Sequence, residues 1–238
     1  MFNTDLILTN QLLSNLISVS QHLLPYLKEV SLVSGQTIHE AQSRITKVYF
    51  PQGARLSLVL VMSDCSITEV TSIGNEGLVG LPIVLGSDST NTRSIVQMSG
   101  SAIELSANIL KTELQKNQEF RRLLLLYAQV QFSQVSQIAA CRTQHDIEQR
   151  LARWLLLIYD STQYDTLPLT QKFISLMLGV RRASITEIAI SFQKQGIIKY
   201  SRGQIKIVNR SKLELLSCEC YDKIKFEYQR LLENTFLN

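Results

Sequence analysis

The stretch from Leu169 to Ile207, LTQKFISLMLGVRRASITEIAISFQKQGIIKYSRGQIKI, constrains this chain more than any other. It reads as a short helix, a tight turn at Gly179-Val180, a second helix opening on Arg181-Arg182, and a basic hairpin. Two helices crossed over a short turn form the geometry that lays the second helix in the DNA major groove. Apolar residues stand where crossed helices must touch: Ile174, Leu178, Val180, Ile185 and Ile188. Ser175 is small where the approach is closest. Gly179 stands where the turn calls for positive φ, which glycine adopts at little cost. The competing interpretation is an ordinary helical hairpin buried in a core.

Charge argues for the first of these. From Pro168 to Arg210 there are eight cations (Lys172, Arg181, Arg182, Lys194, Lys199, Arg202, Lys206, Arg210) and one anion, Glu187. That segment is +7 in a chain whose total is +4, which leaves −3 elsewhere. A local basic patch on a nearly neutral protein is the electrostatic footprint of a phosphate partner.

The 238 residues suit one large or two ordinary domains, and at 45% hydrophobic they can bury a substantial core. No run of about 18 apolar residues occurs, so no membrane span or membrane partner is expected. The start, MFNTDLILTNQLLSNL, lacks a basic opening and a small-residue cleavage site. It reads as an amphipathic helix rather than a signal peptide, and a cytoplasmic location is expected.

Of the four cysteines, only Cys218 and Cys220 are close in sequence. Their one-residue gap is not the usual spacing of zinc or redox pairs. Cys65 and Cys141 cannot be grouped with anything, and His22, His39 and His145 show no ligand spacing. The expectation is free thiols and no metal, with a redox or metal role for Cys218 and Cys220 as the lesser alternative.

Residues 5–28 carry a helical period with a stop near Pro25. From Val30 to about Leu105 the period falls to two, as in RLSLVLV (55–61) and SITEV (66–70), broken by turn signals such as PQG (51–53), GN (74–75) and GSD (86–88). Short strands at such intervals indicate a β sandwich or barrel. A short turn is expected near Leu78–Leu85. Helical pattern returns at about Ala107. A long helix without glycine or proline runs from Gln118 to about Ala140, apolar on more than one face. Near-heptad positions Leu124, Tyr127, Gln131, Val135 and Ile138 are the candidate seam for a second copy; packing solely within one chain is the alternative. A helix at Ile147–Tyr159 and a polar loop at 160–165 lead into the basic segment.

With EQRLARWLL (148–156), the helix-turn-helix and the trailing CECY (218–221), the chain resembles the Crp/Fnr family of bacterial transcription regulators. The resemblance covers nearly the whole chain and is strongest over 147–207. It implies an α+β architecture: an N-terminal jelly roll of the cyclic-nucleotide-binding type (1–116), a long dimerisation helix (117–145), and a C-terminal winged helix-turn-helix (146–238). It also implies double-stranded DNA, a second copy of the chain and RNA polymerase as partners. A small-molecule effector is implied at a phosphate cassette, whose counterparts here are Gly77, Leu78, Val79, Gly80, Arg93 and Ser94. Cyclic-AMP-binding relatives place a glutamate after the cassette glycine; here Gly80 is followed by Leu81 and Pro82, which cannot hold a ribose hydroxyl. A standard cyclic AMP site is therefore not expected. No cysteine precedes Cys65, which argues against an N-terminal iron–sulfur cluster.

The second helix, 181–195, is the expected reading helix. Arg182 can contact guanine in bidentate fashion and Glu187 can accept from cytosine; Ser184 can reach base or phosphate. Arg181 and Arg182 oppose the helix dipole and no Ser, Thr or Asp caps the helix, a cost that facing phosphates would offset. Lys199, Tyr200, Ser201, Arg202 and Lys206 belong to the wing and are assigned to backbone phosphate. Thr170, Gln171 and Lys194 complete the expected contacts. No hydrolase, nucleotide-loop, metalloprotease or dinucleotide fingerprint occurs, and Glu69, Glu76 and Glu104 read as isolated solvent-facing carboxylates, so no enzyme is expected. The reading is a homodimeric regulator with a sensing sandwich. The alternative is a ligand-independent DNA binder whose sandwich is only a scaffold.

Overall fold

A computed structural model describes residues 9–162, 164 and 166–233. Helix α1 (Gln11–Val19) and a 3-10 helix (Gln21–Tyr26) precede strands β1 (Lys28–Leu32), β2 (Thr37–His39), β3 (Lys47–Gln52), β4 (Arg55–Val61), β5 (Ile67–Ile73), β6 (Arg93–Met98) and β7 (Gly100–Ser106). Helices α2 (Ala107–Lys116), α3 (Gln118–Gln144) and α4 (Ile147–Asp160) follow. Strand β8 (Thr166–Leu167), helices α5 (Gln171–Leu178) and α6 (Arg182–Lys194), and strands β9 (Ile198–Ser201) and β10 (Gln204–Ile207) come next. Helices α7 (Arg210–Leu216) and α8 (Cys220–Tyr228) close the chain, with a π turn at Gln229–Glu233.

The strands form an antiparallel sandwich. One sheet runs β1-β7-β3, the other β2-β6-β4-β5. Inward residues of both sheets, among them Leu32, Leu56, Ile73, Val96 and Ala102, fill the space between them. The alternation that marked these strands arises because successive side chains point to opposite faces. A 3-10 turn at Leu81–Ile83 occupies the expected 78–85 stretch.

The single N-terminal helix expected over 5–28 is not what forms. Residues 1–8 lie outside the described residues. Beyond them α1 ends at Ser20, whose φ of −148° is not helical, and the 3-10 turn contains Pro25. Lys28 already belongs to β1. Buried Asn10 begins α1: its carbonyl accepts from the Leu13 N–H at 2.8 Å while its amide donates to the carbonyls of Pro51 and Gly77. One side chain thus caps a helix and pins it to the sandwich.

The 27-residue α3 runs four residues past the expected end. Its inward face, with Phe120, Leu123, Leu124, Tyr127 and Val130, packs in one core with α1, α2, β3 and β7. This corrects the expected seam. Leu124 and Tyr127 are 0% exposed and Gln131 is 6% exposed, so none of the three can meet a second copy. Val135 is half-buried, and Ile138 lines the gap toward β5. A helix apolar on more than one side gives no unique phase, and the sequence pattern had followed the inner side. The Tyr127 hydroxyl donates to the Leu78 carbonyl (3.2 Å) and accepts from the Leu78 N–H (2.9 Å). A Cβ on Gly77 would stand 2.2 Å from that hydroxyl, so glycine is required there.

The C-terminal half does not hang free. Its core, with Trp154, Leu155, Ile174, Ile185 and Phe192, also takes in Val59 and Met98 from the four-stranded sheet. Glu69 sits at this junction at 5% exposure and accepts from Ser57 (2.5 Å) and from Trp154 Nε1 (2.9 Å). Arg142 of α3 donates to its backbone carbonyl. The solvent-facing expectation for Glu69 is therefore overturned, because its face of β5 is covered by α4. Glu76 and Glu104 are not isolated either: Glu76 accepts from the Gly74 N–H and stands 3.8 Å from Arg55, and Glu104 is paired with Lys47 at 2.9 Å. No helix among the described residues is long and apolar enough to cross a membrane.

Tyr127→Phe should lower stability by about 1–3 kcal/mol, because the buried Leu78 N–H loses its acceptor. Urea denaturation at several protein concentrations checks this. A cost that appears only as weakened self-association would return Tyr127 to a subunit interface.

Candidate nucleic-acid interface

Helix α5 begins at Thr170, whose hydroxyl accepts from the Phe173 N–H at 3.1 Å, and ends at Gly179 in the left-handed region (φ 66°, ψ 43°). The Gly179 N–H donates to Leu176 and the Val180 N–H to Ser175, so the last carbonyls of α5 are satisfied as the chain turns. Arg181 is extended and caps α6 without a side-chain hydrogen bond, as the sequence indicated. The helix expected to read DNA, α6, spans Arg182–Lys194, one residue shorter at each end than expected.

Helix α6 buries Ile185, Ala189 and Phe192. The helical period then turns Arg182, Ala183, Glu187, Ile190 and Lys194 outward, and all five are exposed. Arg182 and Lys194 stand at opposite ends of this face, about 18 Å apart along the axis. Ser184 is half-buried beside it.

The wing is a two-residue hairpin. Ser201 pairs with Gln204, and the turn residues Arg202 (φ 48°) and Gly203 (φ 77°) both have positive φ, as a type I′ turn requires. Arg202 therefore projects from the tip, in a conformation that costs a non-glycine residue energy. Across the strands Lys199 lies directly opposite Lys206, a like-charge pair that destabilises the free hairpin. β8 adds a third strand beside β10.

Two of the expected contact residues are tied to each other. The Gln171 N–H donates to the Tyr200 hydroxyl (3.2 Å), and the Gln171 side-chain carbonyl accepts from Thr186 (2.8 Å). The Tyr200 N–H in turn donates to Gln193 (2.9 Å). Tyr200 and Gln171 thus lock wing, first helix and reading helix together. Thr186 and Gln193 were missed, because only the fold brings Thr186 to Gln171 of α5 and Gln193 to the wing.

Of the eight cations, Arg210 is withdrawn from this surface. It pairs with Asp160 at 2.5 Å and Glu214 at 2.9 Å and donates to Tyr221. Burial alone would raise the Asp160 carboxyl; the hydrogen bonds from Arg210 and Tyr221 and the Lys225 charge hold it below the usual range. The other seven form no ion pair among the described residues.

The expected cassette is only partly assembled. Ser94, Leu78 and Gly80 line a cavity of about 30 Å³ with His39, Pro82 and Gln131. Gly77 packs on Tyr127, and Val79 exchanges backbone hydrogen bonds with Tyr49. Arg93 does not line the cavity. Its Nε is bound to Glu40 at 2.7 Å, at the rim of the sheet. A larger cleft of about 340 Å³ lies between the sandwich and helices α3, α4 and α8, lined by Arg55, Asn75, Glu76, Asp160, Lys225 and Tyr228 among others. A further convergence corrects the expectation that the thiols cannot be grouped. Cys141 and His145, at the end of α3, meet Cys218 and Cys220 with all four donor atoms within 4.8 Å of one another.

Residues 149–216 match the Crp-like helix-turn-helix domain. No curated protein matches the sequence. Among solved structures, FixK2 from Bradyrhizobium japonicum superposes with a TM-score of 0.70 at 16% identity, over 81% of this chain and 98% of that one. A protein described as a Crp/Fnr-family regulator from Eubacterium rectale gives 0.66 at 19%, over 84% and 93%. CLP, the c-di-GMP-responsive regulator of Xanthomonas campestris, gives 0.64 at 11%, over 80% and 98%. At these identities the likeness to the structures is one of fold. The chain carries a Crp-like helix-turn-helix domain behind a sandwich of the cyclic-nucleotide-binding type, joined in the fold of the Crp/Fnr regulators.

Proposed function

We propose that the chain is a homodimeric transcription regulator that reads a palindromic DNA site with α6. The observation that carries this is that seven of the eight cations of the winged helix-turn-helix form no ion pair among the described residues, with Arg182 at the start of α6 and Arg202 at the tip of the wing. The division of labour we infer is sensing within 1–116, joining within 117–145 and DNA binding within 146–238. Contact with RNA polymerase is an expectation from the resemblance.

Dimerisation through α3 is supported by its outer face. Leu125, Ala128, Phe132, Val135 and Ala139 follow alternating spacings of three and four, the spacing of a coiled-coil seam. Phe132 is 75% exposed and Leu125 43% exposed in a single chain. Of the earlier candidates only Val135 belongs to this seam. A two-fold axis along α3 sets the two reading helices on half-sites about one helical turn apart.

Control by cyclic AMP is disfavoured by a cavity of about 30 Å³, since small-molecule pockets begin at about 300 Å³. The cleft lined by Arg55, Asp160 and Lys225 is large enough and borders both halves, so an effector is proposed there.

Arg182→Ala should cost about 1–3 kcal/mol on the selected DNA site and relax one base preference per half-site. Arg202→Ala should weaken binding to all sequences and lower the salt slope by about one per subunit. Titrations on selected and scrambled duplexes across a salt series separate the two. An exchange of these two behaviours would reverse the assignment of reading helix and wing. Phe132→Glu should yield monomers by sedimentation at micromolar concentration while far-ultraviolet dichroism is retained; a surviving dimer places the interface elsewhere. Cyclic AMP should bind with no measurable heat in calorimetry. A sub-micromolar affinity overturns the location of the sensing site.

A further inference from the structure

Cys141 lies in the last turn of α3, and His145 is the residue that ends that helix, one turn further on. Cys218 and Cys220 flank Glu219 at the start of α8. The fold brings these two ends together. Cys141 Sγ is 3.5 Å from Cys218 Sγ, and Cys220 Sγ is 3.6 Å from His145 Nδ1. The three cysteines are buried in a cluster of their own, whereas Cys65 is exposed and remote from it.

Three thiols and an imidazole at these separations have the shape of a metal site. With Zn–S about 2.3 Å and Zn–N about 2.0–2.1 Å, neighbouring donors of a tetrahedral ion stand roughly 3.5–3.8 Å apart. The two close pairs already meet that spacing, and no donor pair exceeds 4.8 Å. Soft thiolates with one imidazole select zinc among the common divalent ions. An iron–sulfur cluster holds several metal atoms and needs its ligands spread further.

The surroundings are built for such an ion. His145 Nε2 meets Glu219 Oε2 at 3.0 Å. That contact fixes the tautomer that leaves Nδ1 free to ligate, the carboxylate–histidine pairing typical of zinc sites. Gln137 Nε2 donates to Cys220 Sγ at 3.0 Å. Arg142, Arg150 and Arg153 all lie within electrostatic reach of Cys141. Arg150 and Arg153 are at most 9% exposed, and the Nε of each has no hydrogen-bond partner among the described residues. Three cations gathered beside one buried carboxylate, Glu69, are undercompensated. A zinc ion with three thiolates and a neutral imidazole carries a net charge of −1 and supplies the missing anion.

We propose that Cys141, His145, Cys218 and Cys220 bind one zinc ion, which bolts the end of α3 to the start of α8. Binding displaces the three thiol protons to solvent, with no change of oxidation state. The ion then sets the angle between the long helix and the DNA-binding half at the one place where α3 stops and α4 begins.

The test uses the full chain, purified under reduction and stripped of metal by chelation, then titrated with cobalt(II) and with zinc. The expected result is one ion per chain, with thiolate-to-cobalt charge-transfer absorption and ligand-field bands of tetrahedral intensity, displaced by zinc. Cys218→Ser should abolish or shift the charge-transfer band and Cys65→Ser should leave it unchanged. Glu219→Gln, which keeps all four ligands, should weaken metal binding about 10- to 100-fold. A wild-type chain that takes up no stoichiometric metal overturns the proposal whatever the variants do. So does a weak octahedral cobalt spectrum, an iron–sulfur chromophore in the protein as isolated, or a Cys141–Cys218 disulfide that persists in the reduced preparation by mass.

Discussion

The junction between the two halves depends on a buried carboxylate. Glu69 projects from β5 away from the sandwich core and is met there by Ser57 of the neighbouring strand and Trp154 of α4. An unpaired acid would not be tolerated at that depth. Its position is defensible only while α4 lies against the sheet, so the two halves hold each other in register. Other tethers follow the same line. Arg142 reaches the Glu69 backbone, Arg150 of α4 donates to the Leu178 carbonyl at the end of α5, and Gly179 lies close to Thr68 of β5. The turn of the helix-turn-helix therefore rests on the sheet while the exposed face of α6 points elsewhere.

Helix α3 has three sides, and two of them carry neighbours. One side is core, sealed by Tyr127 on Leu78. A second carries α8, through Ser133 with Glu227 and Gln137 with Cys220. The third, with Leu125 and Phe132, is bare. The contacts to the core and to α8 are thus made by one continuous helix.

How far the sequence could be followed depends on the range of the interaction. The helix-turn-helix was legible because its determinants are local: a glycine at positive φ, apolar residues at helical spacing, and a two-residue hairpin turn, all within 39 residues. The strands were legible as alternation, but not their pairing, since β1 joins β7 across the length of the sandwich. Leu124, Tyr127 and Gln131 read as facing a second copy because Leu123–Leu126 offer apolar residues all round, and only tertiary contacts say which are already occupied. Arg93 looked like a cassette residue until Glu40, 53 positions away, was seen to hold it. The cysteine cluster was beyond reach for the same reason. Cys-x-x-x-His and Cys-x-Cys each fall short of a ligand set, and 77 residues separate Cys141 from Cys218.

The bare charges of the reading head bear on the molecule when no DNA is present. Lys199 faces Lys206 across the wing, Arg181 and Arg182 sit at the positive end of a helix dipole, and none of the four forms an ion pair among the described residues. In free solution these groups repel one another, and only mobile anions screen them. Salt and DNA therefore act on the fold of this domain in the same sense and on each other in opposite senses. Ions that steady the empty head are the ones a duplex must expel to occupy it.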